Sequence, residues 1–554
     1  MQTPETPRDL GLPFDAWRPG QRDTVEAILT AFQEYKYVLL TAPTGSGKTL
    51  VASAVQRLLG VESVYTVHTK QLQEQCLKTM DWAKVVTGRS NHMCELDQLK
   101  AINATAENAP CAQGADCEYI APAPDGCSYY RALYAAADSP QAVLNYAYAT
   151  RIVRAKGIRK MTRNPFRRDL LVCDEGDLAE QAIIDAVTVT LNRQTAKTFD
   201  APRYNASVQD FVTWAKDVRM RVVGWLQTRS GKALCDHASV HCKECDHSPS
   251  STVLKDYRSA QSFMDTVNML NNMPDTDDWV VIEDKYFIRI RPVWGWAVAQ
   301  KTLFFAFKQA LIMSATLGDP KILARKLALP DDEWVHIEVP SYFPKENRPV
   351  FYWPVEKVNR KTDSEGWDHL AAAISWLAEQ DGLQRKKGII HTGSFRITRE
   401  LFVRLLEKEI NADKPFIRYI MQTQEGGSAR KETMIEILQT DRRPMIVLSP
   451  SLATGVDIPY EIGFQVIAKV PYADLSDPVV RARKDYHVAG VPFGRQSYDA
   501  DALNTVIQAC GRAVRAPDDK GVTFILDGNF HALYQRGYVP THFREVFKWF
   551  KERG

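Results

Sequence analysis

No stretch of this sequence approaches the roughly 18 consecutive apolar residues that a membrane-spanning helix needs. The opening "MQTPETPRDLGLPFD" is polar and carries prolines, so it lacks the pattern of a secretory signal. Charge of one sign is missing as well. The 70 basic and 67 acidic side chains leave a formal charge of +3, so a polyanionic partner would have to be served by local patches. No internal repeat stands out beyond a general likeness of the two halves. With no signal and no span, the ten cysteines are expected in a reducing, cytoplasmic setting. Clustered thiols there point to metal more than to disulfides.

What is present is ordinary globular material. At roughly 100–200 residues per domain, the 554 residues imply about three or four units. "KYVLLTAPTGSGKTLVASAVQRLLG" reads as a buried strand, a Gly-rich turn and a helix. "SVYTVHTKQLQEQ" repeats strand then helix, and "DLLVCDEGD" and "ALIMSATL" are further apolar runs ending in polar residues. "KGIIHTGS", "PMIVLSPS", "FQVIAKVP" and "GVTFILDG" do the same in the second half, among helical stretches. Strands alternating with helices predict parallel sheets covered by helices, here two α/β units in one chain.

"APTGSGKT", from Ala42 through Pro43, Thr44, Gly45, Ser46, Gly47 and Lys48 to Thr49, is the strongest single signal. It follows a strand and opens a helix, the setting of a phosphate-binding loop, with Ala42 in the first glycine's place. Gly45 and Gly47 let backbone N–H groups face phosphate oxygens, and the helix adds its positive end. Lys48 would reach the outer phosphates, and the Thr49 hydroxyl would hold Mg²⁺. A second strand in such NTPases supplies an Asp for the metal. Asp174 at the end of "LLVCDEGD" fits that place, and Glu175 would activate the attacking water. ATP and Mg²⁺ are the cofactors this pattern expects.

With those motifs in order, the chain resembles superfamily-two helicases, and more closely the XPD/DinG-like DNA helicases. "RPGQ" resembles the segment that contacts adenine, which implies roles for Arg18 and Gln21. "TVHTKQLQEQ", "DEGD", "SATL", "HTGS" and "TGVDIP" resemble motifs Ia, II, III, IV and V, and "LNYAY" resembles the family's Asn-containing stretch. Motif V brings Gly455 and Asp457 into the expected nucleotide site. "QACGRAVR" resembles motif VI. On a helix its Gln508, Arg512 and Arg515 would share one face and oppose the phosphate loop across a cleft. Two departures stand out: Asp177 where many relatives carry His, and Thr454 where an acid is usual.

The resemblance implies a [4Fe–4S] cluster on Cys94, Cys111, Cys117 and Cys127, which fall between motifs I and II. Their spacing lacks a C-x-x-C pair, and four thiolates would hold zinc as well. A second cluster, "CDHASVHCKECDH", offers Cys235, Cys242 and Cys245 with His247, or with His237 or His241 in its place, as a small zinc site that the family does not anticipate.

The expected architecture is therefore α/β: two RecA-like parallel-sheet motor domains, with an iron–sulfur insertion and a helical arch insertion in the first. The first motor domain is expected over 1–90, 131–187 and 296–322, the iron–sulfur domain over 91–130, the arch over 188–295 and the second motor domain over 323–554. The family implies single-stranded DNA crossing both lobes, tailed duplex as substrate and 5′→3′ movement. The basic stretches Arg151–Arg168 and Arg481–His487 and the rings of Tyr146 and Tyr148 are the candidate strand contacts. The rival reading is an ATP-controlled nucleic-acid-binding switch that remodels without processive unwinding.

Overall fold

A computed structural model describes residues 3–96, 100, 103–113, 117–120, 126–156, 163–203, 205–233, 250–273, 278–410, 417–423, 427–453, 462–514 and 516–550. Tyr37–Thr41 is buried at all five positions, as expected for a strand covered on both faces. It belongs to a seven-stranded parallel sheet, in spatial order Trp334–Glu338, Tyr37–Thr41, Gln309–Ser314, Leu170–Cys173, Ser63–Val67, Gln141–Asn145, Lys84–Val85. Apolar clusters fill both faces of this sheet. A second parallel sheet runs Tyr419–Met421, Ile446–Ser449, Lys387–His391, Ile462–Ile467, Val522–Asp527, Val350–Glu356, Phe547–Trp549. It too is packed on both faces. Two doubly covered α/β lobes are thus present, as the strand–helix alternation predicts.

The boundary expected at residue 323 moves. Trp334–Glu338 pairs in parallel with Tyr37–Thr41, so the first lobe runs on to Glu338. Without that strand, Tyr37–Thr41 would be an edge with an unpaired row of backbone groups. Residues 339–349 then link the lobes.

The arch-like insertion is not purely helical. Its helices Val208–Ala233 and Ser251–Asn271 pack together around Phe199, Trp214 and Phe263. Beside them lies a three-stranded antiparallel sheet, in order Val189–Asn192, Phe287–Pro292, Trp279–Glu283. "WVVIEDKYFIRIRP" alternates in character, and its turn is set by Asp284, whose Oδ1 accepts from the N–H groups of Tyr286 (2.7 Å) and Phe287 (2.8 Å). Short 3₁₀ turns recur in the described parts of the 91–130 region, which ends in the helix Ser128–Asp138. Among the described residues no helix is long and apolar enough to cross a membrane. Cys235, Cys242, Cys245 and His247 lie outside the described residues, as do Gly455, Asp457 and Arg515.

Candidate active site

The loop between Thr41 and Lys48 turns on two glycines in the left-handed region, Gly45 (φ 82) and Gly47 (φ 75). Gly47 opens the helix Lys48–Leu59, so the helix's unpaired N–H groups face the loop. Three side chains brace the loop from outside. Arg18 Nη1 donates to the Gly45 carbonyl (2.7 Å), Tyr342 Oη donates to the same oxygen (2.8 Å), and Gln21 Nε2 donates to the Ser46 carbonyl (2.7 Å). Gln21 Oε1 accepts from the Arg18 N–H (2.8 Å), so both ends of this buried amide are engaged. The structure thus places Arg18 and Gln21 as struts of the phosphate loop. Lys48 Nζ donates to the Ala42 carbonyl (3.1 Å). Burial pulls its ammonium pKa down against the opposing pull of Asp174, Asp177 and Glu175.

Ala42 follows Tyr37–Thr41, Ser314 ends the neighbouring strand, and Asp174 follows the strand beyond it. Ligands of parallel sheets gather at these carboxyl ends. The Ala42 N–H donates to the Ser314 carbonyl (2.9 Å), which joins the first two. Asp174 Oδ2 accepts from Tyr65 Oη (2.7 Å), and that phenol oxygen lies 3.4 Å from Thr49 Oγ1. Thr49 and Asp174 therefore flank one point, and their hard oxygens fit Mg²⁺, which would supply charge neutralisation at the phosphates.

Glu175 stands at φ 50, an unusual angle for a side chain, with its N–H donating to Asp174 Oδ1 (3.0 Å). The turn that follows lies flat on the central strand: a Cβ on Gly176 would sit 2.5 Å from Ile312 Cγ2. Burial first, then the charges of Asp174 and Asp177, push the Glu175 carboxyl up to about 7. Lys48 and Arg512 pull the other way. A carboxyl tuned close to neutrality suits a proton acceptor.

The second lobe closes over this edge. Gln508 Nε2 donates to Asp177 Oδ2 (2.8 Å), and Asn504, one turn earlier on the same helix, donates to the Thr316 carbonyl (3.1 Å). The motif VI expectation needs one correction. The helix Phe493–Cys510 stops at Gly511, and Arg512 N–H bonds back three residues to Ala509 (3.1 Å). Arg512 therefore lies in a turn past the helix end, not on its face, because glycine favours termination there. Arg512 Nε donates to the Ala453 carbonyl (2.6 Å). Burial lowers its pKa to about 10 while Glu175 pulls it up, so the two groups feel each other across the lobes.

Four of the expected strand contacts have structural partners. Arg168 is buried and donates to five carbonyls, those of Pro165 (2.8 Å), Ser63 (2.9 Å), Ser139 (2.8 Å), Ala136 (2.8 Å) and Ala137 (3.0 Å). Tyr146 is buried with its hydroxyl on the Asp174 carbonyl (3.0 Å), and Tyr148 bonds Tyr129 (2.8 Å). Arg483 donates to Glu180 Oε1 (2.6 Å) and to the Val293 carbonyl (2.6 Å). Sequence reasoning missed Tyr65, Tyr342, Phe343 and Asn504, none of which stands in a motif.

Cys94, Cys111 and Cys127 are buried and Cys117 half-buried. Cys111 Sγ accepts from Arg89 Nη1 (3.3 Å), and hydrogen bonding from Cys117, then Arg89, brings its thiol down to about 6. Cys94 feels the charges of Cys111 and Cys127 and is pushed up by burial. Four thiols within reach of one another, with Arg89 beside them, fit thiolate ligation of a cluster. Yet among the described residues no group of three or more His, Cys, Asp or Glu is placed as a metal-holding set.

Two stretches match known families: residues 383–546 the helicase C-terminal domain, and residues 15–112 the res subunit of type III restriction enzymes. The second lobe is thus a helicase C-terminal domain. A solved XPD helicase superposes at a TM-score of 0.61 and 15% identity, covering 96% of this chain and 99% of the other. The S. tokodaii Xpd4 structure gives 0.56 at 15% identity, covering 96% and 100%. The chain therefore has the fold of XPD along nearly its whole length. No curated protein matches it.

Proposed function

We propose that this chain is an ATP- and Mg²⁺-dependent DNA helicase that moves along single-stranded DNA, 5′→3′ by family resemblance, and unwinds tailed duplexes. The observation that carries the reading is the shared crevice. Lys48, Asp174 and Glu175 of the first lobe face Gln508 and Arg512 of the second, joined by the Gln508–Asp177 bond (2.8 Å). In that crevice Lys48 and the loop amides hold the phosphates, Thr49 and Asp174 hold Mg²⁺, and Glu175 takes the proton of the attacking water. Arg512 offsets charge gathering on the transferred phosphoryl group. Hydrolysis would weaken what joins the lobes, and their alternating closure would advance the strand.

On the second lobe the candidate phosphate contact is Lys469, 3.7 Å from the Cβ position of Gly393 in the motif IV loop, where it feels the charges of Arg396 and Arg360 as well as those of Asp527 and Asp474. Cys94, Cys111, Cys117 and Cys127 would hold the [4Fe–4S] cluster, with the insertion of residues 188–295 beside it.

Lys48→Ala is the first test. It should abolish DNA-stimulated ATP turnover, and retained turnover refutes the assigned site. Strand displacement on a 5′-tailed duplex then separates a motor from an ATP-controlled binding switch. DNA against RNA as activator names the polymer. Brown, iron-loaded protein after anaerobic purification supports the cluster, and a colourless preparation speaks against it.

A further inference from the structure

The linker between the lobes does more than connect them. Its Val339 N–H donates to the Thr41 carbonyl (2.8 Å), so the linker leaves directly from the strand that feeds the phosphate loop. Three residues on, Tyr342 Oη donates to the Gly45 carbonyl (2.8 Å), alongside Arg18. The Phe343 ring lies against the same residue. A Cβ on Gly45 would stand 2.3 Å from Phe343 Cζ and 3.2 Å from Tyr342 Oη. Only glycine leaves room for both rings.

The other side of Phe343 belongs to the second lobe. Phe343, Ala513 and Val514 form a small buried cluster, with Tyr342 packed against it. Ala513 directly follows Arg512. It is itself pinned: a Cβ on Gly521 would come within 2.5 Å of the Ala513 Cβ. Gly521 N–H donates to the Asn347 carbonyl (2.9 Å), and Asn347 Nδ2 donates to the Pro517 carbonyl (2.8 Å). The linker therefore holds the phosphate loop with one hand and the arginine-bearing segment with the other.

We infer that Tyr342 and Phe343 are positioning residues that transmit occupancy of the phosphate loop to Arg512. The inference rests on the ATP-site reading above. Phosphates entering the loop reorient the peptide around Gly45, and that carbonyl is where Tyr342 is anchored. A shift there moves the ring of Phe343, and Ala513 must follow because close-packed groups do not deform independently. The two rings stand outside both the phosphate loop and the arginine-bearing segment they join, so the signature of the coupling is loss of turnover without matching loss of binding.

The test is amide hydrogen exchange of the full-length protein with and without a non-hydrolysable ATP analogue, beside steady-state turnover. In the unaltered protein the analogue should slow exchange both in the phosphate loop and in peptides covering Ala513 and Val514. Phe343→Ala should keep the loop response and lose the second one. Its kcat should fall about tenfold while affinity for the analogue stays within about threefold. Phe343→Leu should restore both. Tyr342→Phe, which removes one hydroxyl and leaves the packing, should weaken the second response, and it carries the test should Phe343→Ala not fold. A Phe343→Ala protein that keeps the response at Ala513 overturns the inference, and so does one that loses both responses together. No loop response in the unaltered protein defeats the ATP-site reading itself. A loop response without one at Ala513 defeats only the coupling.

Discussion

Glu175 concentrates the chemistry and its cost in one side chain. It sits at φ 50, within reach of two other carboxylates, and it keeps a proton up to about pH 7. Between the ordinary carboxyl value of 4.5 and about 7, the folded protein holds a proton that the unfolded chain has released. Stability of the nucleotide-free protein from this group is thus present at low pH and lost as pH rises through that window. Urea unfolding at several pH values should show the decline, and Glu175→Gln should flatten it. An undiminished slope in that variant would assign the decline to other groups. The same substitution should stall hydrolysis with ATP bound, read as retained nucleotide after gel filtration. Arg168 illustrates the opposite kind of residue, charged but structural. Arg168→Ala would take the donor from five carbonyls and should cost about 3 kcal/mol or more in urea unfolding, with ATP affinity unchanged in the protein that folds.

Among the elements, the phosphate loop was legible because its physics is local. A buried strand, glycines that accept positive φ and a helix start all fall within eight residues of sequence. Gly47→Ala should be poorly tolerated on two counts: a left-handed angle, and a Cβ 2.1 Å from Gln21 Nε2. Roughly 1–2 kcal/mol of strain from the angle alone should lower the melting temperature and weaken ATP binding together. A variant with unaltered melting and ATP affinity would show that the loop relaxes freely. The strand Leu170–Cys173 and its acids were legible for the same reason. What escaped was set by distant partners. Trp334–Glu338 carries no motif and earns its place only as the neighbour of Tyr37–Thr41. Tyr65 reads as one more apolar strand residue until Asp174 is placed against it. The end of the motif VI helix at Cys510 was overridden by spacing, although Gly511 was there to be read. The alternation of "WVVIEDKYFIRIRP" was likewise available, but it was submerged in the helical stretches around it.

For the whole molecule, a second set of contacts joins the lobes away from the nucleotide crevice. Glu180, on the helix that follows Asp177, accepts from Arg483 (2.6 Å) and from the Gly295 N–H (2.9 Å), with Lys326 at 4.0 Å. Lys326 in turn pairs with Asp501 (2.7 Å) on the helix that carries Gln508. Arg483 also lies over Trp294, 4.6 Å from its ring centre. Buried charges held this way are costly to separate singly. Arg483→Gln should therefore broaden the distance between lobes in the nucleotide-free protein, read by dye pairs or solution scattering. A profile identical to that of the parent would show that the crevice contacts alone set lobe spacing.

The insertion enters through Val189–Asn192 and leaves through Phe287–Pro292, two strands paired side by side. Such a doorway makes the inserted unit a cassette: a different module, or a short turn, can join the same two strands without disturbing the sheet that bears Asp174. Near that doorway the far lobe holds it, with Tyr486 Oη donating to Asp278 (2.9 Å) and Arg483 Nε to the Val293 carbonyl (2.6 Å). Evolution can therefore exchange the accessory module while leaving the engine beneath it intact.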